Sequence, residues 1–178
     1  MTCDAIELAD RVAAQVAPGV ARRVQAELLL WGLRSAPAGV REAAPAGVWA
    51  AATRAVGAVS QGSPADSAPL GAFAGWLDAH STDWATREAL SEIRYALDRV
   101  LGSPREIALS DTAHELIRAA GLWLWDELRS EASGDIGDSD GRQHAQELVR
   151  DAAVEEAHRA LTEILRRPLG LPPPQDRP

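Results

Sequence analysis

Apolar residues recur along this chain at the three- and four-residue spacing of helices. Nowhere do they alternate with polar ones between hairpin dipeptides, so the pattern predicts an all-α fold. The first helix is expected from about Asp4 to Val16, with Ala5, Leu8, Ala9, Val12 and Val16 on one face. Pro18 and Gly19 interrupt it, and proline suits a first helical turn, so a second helix follows from Pro18 to Arg34 with Val20, Val24, Leu28 and Trp31 inward. APAGV occurs at 36–40 and again at 44–48, a period too short for a solenoid unit, and reads as two Pro/Gly turns.

A third helix is expected from Val48 to Val59, then a loop, SQGSPADSAP. A short helix over Leu70–His80 points Leu70, Phe73, Ala74 and Leu77 inward. Ser81 or Thr82 caps a longer helix reaching Leu101, which buries Leu90, Ile93, Leu97 and Val100. Ser103-Pro104-Arg105-Glu106 has the form of a capping box, so a helix starts there and either continues or restarts at Ser110 or Asp111, running to about Ala132. Its inward stripe is Ala113, Leu116, Ala120, Trp123 and Leu124. A last helix covers Arg142–Arg167 and is stopped by Pro168. The expected architecture is one bundle of six or seven helices over residues 1–167, with an extended Pro-rich tail over 168–178.

At 178 residues a chain can bury a core without disulfides or a structural metal. The single cysteine, Cys3, cannot form an internal bridge, and an acidic N-terminus without an apolar h-region gives no export signal. No long apolar run predicts a membrane span, so the expectation is a cytoplasmic protein. All 18 basic residues are arginine, with no lysine and no asparagine, which reads as GC-rich coding and a bacterial source. The net charge of −8 opposes nucleic acid as a partner, because binding phosphates rests on basic groups. Most of that charge is local: residues 126–163 hold eleven acids against four arginines, a net −7.

Several constellations invite chemistry. Asp111-x-x-His114 and Glu155-x-x-His158 have the spacing used by di-iron bundles. On a helical wheel, however, His144, Glu147, Asp151, Glu155 and His158 lie opposite Leu148, Ala153, Ala157, Ala160, Leu161 and Ile164, so the ligand-type residues face solvent. Asp138, Asp140, Gly141 and Glu147 match four positions of an EF-hand loop, but Ile136 stands where the first carboxylate belongs. The turn at Pro18-Gly19 with Arg22 and Arg23 fits a helix-turn-helix poorly, and Cys3 has no histidine fixed beside it. These readings leave no catalytic residue, no metal site and no cofactor.

Trp125 and Leu122 fall off the core stripe of their helix, toward Arg118 and Arg129. Either that helix is buried all round, or the two form an apolar patch with the composition of a contact hot spot. The resulting expectation is a non-enzymatic helical interaction module: an adaptor, regulator, immunity-type inhibitor or assembly subunit. It would use an acidic C-terminal hairpin to meet another protein with a basic surface, with no membrane role, and a homo-oligomer is compatible with it. Leu122, Trp125, Arg118, Arg129, Glu147, Asp151 and Glu155 are the candidate contact residues. The alternative is a small-molecule or metal-binding helical domain, an enzyme among the options, with a pocket drawn from Trp31, Trp49, Trp84, Tyr95 and His114.

Overall fold

Local signals fix where most helices begin. In the computed structural model, which describes residues 4–80, 84–102, 108–132 and 139–173, Asp4 caps α1 (Ala5–Gln15) by accepting from the Ile6 amide at 3.1 Å. Pro18 opens α2 (Pro18–Ser35). The stretch expected as paired turns contains a six-residue helix, α3 (Ala38–Ala43), with no buried residue. Gly47, at φ +83°, takes the left-handed conformation that starts α4 (Val48–Ser60). Asp66 caps the Ala68 amide at 3.2 Å, so α5 (Ser67–Ala79) begins three residues before the position that hydrophobic spacing indicates. Then come α6 (Trp84–Leu101), α7 (Leu109–Ala132) and α8 (Ser139–Arg166). The described residues thus hold eight helices and no strand, one or two helices more than expected. Ser81, Thr82 and the 103–106 capping box lie outside them.

α2 and α7 meet at the centre. α7 is flanked by α1, α2, α6 and α8, while α4 lies against the other side of α2 with α5 behind it. This explains why the single stripe expected for α2 is too narrow: Ala21, Gln25, Ala26, Leu29, Gly32 and Leu33 are buried beside Val24 and Leu28, while Val20 and Trp31 are half-buried. Gly32 marks the closest approach, since a Cβ there would stand 2.5 Å from Leu116 Cδ2 and 3.4 Å from Ile93 Cδ1. The inward residues expected for α5 and α6 are all buried.

α6 and α7 run antiparallel along a seam of opposite charges. Arg99 of α6 holds Glu115 of α7 at 2.7 Å, with Asp111 at 3.7 Å. Two turns away the polarity reverses, and Arg118 of α7 holds Glu92 of α6 at 2.9 Å, with Glu88 at 3.8 Å. Thr86 then donates to Asp126 at 2.9 Å. Burial pushes the Glu115 carboxyl above the usual carboxylate range against the pull of Arg99, and does the same to Glu92 against Arg118. Arg22 of α2 donates to the carbonyls of Val100, at 3.0 Å, and Gly102, closing the C-terminal end of α6.

At the α4–α5 corner Trp49 donates its indole N–H to the Leu33 carbonyl at 3.1 Å and packs edge-on against Phe73, with ring centroids 5.0 Å apart. Trp76 stacks on Phe73 and in turn contacts His80. At the other end, the chain makes one more turn past Pro168. The Leu171 amide bonds to the Arg166 carbonyl and that of Gly170 to Arg167, with Gly170 at φ +64°. That is a Schellman turn, and it lays Leu169 and Leu171 against the core. Residues 174–178 lie outside the described residues.

Candidate interaction surface

The core ends before the α7–α8 hairpin does. Among the described side chains, the last buried one on α7 is Trp123, and those buried on α8 are Ala157, Leu161 and Leu165. No described side chain from 124 to 128 or from 140 to 156 is buried. Register accounts for this. α6 begins at Trp84, next to the Thr86–Asp126 bond, so α7 runs on to Ala132 without α6 beside it. At 1.5 Å per residue the 28-residue α8 is roughly 42 Å long, against roughly 27 Å for the 18-residue α6. The surplus length forms a two-helix arm.

Within the arm the helices touch through small and mixed contacts. A Cβ on Gly121 would meet Val154 Cγ2 at 3.1 Å and Arg150 Cγ at 3.5 Å, so glycine lets α8 come close. One turn further, the Arg150 guanidinium lies 5.8 Å from the centre of the Trp125 ring, a cation–π contact. Arg150 also reaches Asp151 at 3.5 Å. Leu124, Trp125 and Leu128 are therefore half-buried, whereas Leu148 is 58% exposed and Val149 39%.

The residues selected from sequence are only partly brought together. Trp125 and Asp151 lie around Arg150 on the arm. Leu122 is half-buried and packs against the core, so α7 is enclosed at that level and no open patch forms there. Arg118 turns instead to the acids of α6. Glu147 accepts from Gln143 at 3.3 Å, Glu155 is exposed, and Arg129 belongs to α7 with its side chain outside the described residues.

Sequence reasoning placed Leu148 inward, and the structure overturns this. At 100° per residue Leu148 stands about 20° from Glu155 and about 140° from the mean direction of Ala157, Leu161 and Leu165, so the winding of the helix carries it to the polar side. That phase was readable in the sequence.

Helix α8 begins at Ser139, so Asp140, Gly141 and Glu147 sit on helical backbone and cannot form a cation-binding EF-hand loop. His158 lies 3.4 Å from Asp4 while His114 is exposed on α7, and among the described residues no three His, Cys, Asp or Glu side chains gather as metal ligands would. Nor do the five pocket candidates converge. Trp84 and Tyr95 are 52% and 55% exposed, His114 is exposed, and no ring contact among the described residues joins any two of the five. No described helix is long and apolar enough to cross a membrane. No protein-family model, curated protein or solved structure matches the chain.

Proposed function

We propose that the chain is a non-enzymatic helical interaction module whose α7–α8 arm docks on a basic surface of another protein. The observation that carries this reading is the arm itself: two helices extended past the core, with Leu148 and Val149 open to solvent among Glu147, Asp151 and Glu155. An arm of this length adds little to the fold, since none of its described side chains is buried. It adds a ridge with an apolar centre and an acidic margin. Acidic residues on the ridge steer a basic partner toward it, and the apolar centre is what desolvation on contact would reward. The Trp125–Arg150 contact stiffens the ridge.

The test uses the tagged full chain and two variants of the arm, Leu148→Asp and Glu155→Arg. Both positions are exposed, so their thermal unfolding should match the wild type. A stoichiometric partner retained by the wild type and lost by both variants supports the reading, provided that direct binding of the purified partner weakens as salt rises. If both variants keep every partner and the same oligomeric state as the wild type, the arm is not the docking element.

A further inference from the structure

Opposite in charge to the acidic arm, the segment 17–60 carries five arginines and two glutamates. Three of those arginines, Arg34 at the end of α2, Arg41 on α3 and Arg54 on α4, line one open cleft of about 670 Å³. The volume is that of a small-molecule site. Its floor is apolar, with Leu33 and Trp49 buried beneath it, and the remaining uncharged lining is small: four alanines with Pro45, Gly47 and Thr53. Glu42 is the one acid on the lining.

The arginines are conspicuous by having nothing to hold. Of the fifteen whose side chains are described, nine have a partner within the chain. Three of the six without one meet at this cleft, although the chain as a whole is acidic. An anion placed in the concavity meets positive charge from three sides. The planar guanidinium forks match the paired oxygens of a phosphate or carboxylate. The first turn of α4 adds to the same end, because Gly47 at its N-cap offers no side-chain acceptor and both Gly47 and Ala50 line the cleft.

We infer that the cleft between α2, α3 and α4 binds a small organic anion bearing phosphate or carboxylate groups, held by Arg34, Arg41 and Arg54 over the Leu33/Trp49 floor. This site is independent of the arm and does not rest on its role.

Calorimetric titration of the full chain with pyrophosphate and, separately, citrate, at constant ionic strength, tests it. A saturable isotherm with either probe is expected, and the probe that binds tells a phosphate site from a carboxylate site. The Arg41→Gln/Arg54→Gln variant should lose at least tenfold in affinity. Arg87→Gln, which removes an exposed unpartnered arginine outside the cleft, should change nothing. All three side chains are exposed, so unliganded melting should be unaltered; should the double variant melt early, the single Arg34→Gln variant carries the same comparison. Absence of binding by both probes overturns the assignment. So does an Arg87→Gln variant that weakens binding as much as the double substitution, since that outcome marks diffuse surface attraction.

Discussion

Replacing Arg99 with methionine isolates the chemistry of the α6–α7 seam. Arg99 makes three contacts of 2.7 to 3.3 Å to the Glu115 carboxylate, which is only 9% exposed. Methionine keeps most of the aliphatic stem and removes the charge, leaving that carboxylate buried without its cation. Breaking a fully buried pair from one side costs about 3–5 kcal/mol. Arg99 is itself 31% exposed, so water enters the vacated position, and the discounted cost is about 2–3 kcal/mol. With a urea m-value of about 2 kcal/mol per molar for a chain of this size, the midpoint should fall by about 1 M. Exchanging both partners, Arg99→Met with Glu115→Leu, removes the stranded charge and should recover most of the loss. A midpoint shift under about 0.2 M for Arg99→Met alone would refute the reasoning, because the pair would then behave as a solvated surface pair.

Other expectations follow from the core. Gly32→Val places carbon into space already held by Leu116 and Ile93 and should cost about 2–3 kcal/mol in denaturant unfolding, partly restored by Leu116→Ala; a neutral result would contradict the closeness of α2 and α7. Gln25 is buried and donates to Thr112 Oγ1 at 2.5 Å, but its Oε1 finds no partner among the described residues, so Gln25→Met should raise the melting temperature by about 2–4 °C, and a fall would show that the amide is needed. Burial raises Glu92 and Glu115 above 4.5 in the folded state, so the unfolded chain loses these protons first as pH rises. Their stabilising contribution is present below about 4.5 and lost as pH passes their folded values, so Glu92→Gln/Glu115→Gln should gain on the wild type as pH rises from 4.5. Denaturation midpoints across that rise, with the wild type gaining instead, would reverse the sign.

Helix identity was legible because spacing and caps act locally. Asp4, Pro18 and the Leu90–Val100 stripe need only their neighbours in sequence to be understood. Burial on a second face was not legible for α2, because it depends on α4 and α7 arriving from distant segments. α3 escaped notice since a six-residue helix with no buried side chain leaves no apolar rhythm. Gly170 ends the C-terminal turn through its backbone angle, and with Pro168 two residues earlier that turn leaves no apolar spacing to read. The acidic run marks α7 and α8 in the sequence, and helical phase alone puts Leu148 and Leu161 on different sides of α8, but where the core stops depends on the length of α6 beside them. The arginine cleft was invisible for a related reason, since Arg34, Arg41 and Arg54 carry no shared spacing and are gathered by the turns on either side of α3.

The pairing of α1 with α7 and α8 also has a temporal side. Leu8 and Val12 are made early, yet the helices that shelter them are translated roughly 100 residues later, about 5–20 s at ordinary elongation rates. Through that interval the nascent chain displays greasy surface with nothing to cover it. A ribosome-associated chaperone would find its substrate there, and messages broken before α7 would yield fragments prone to clump rather than a smaller working protein.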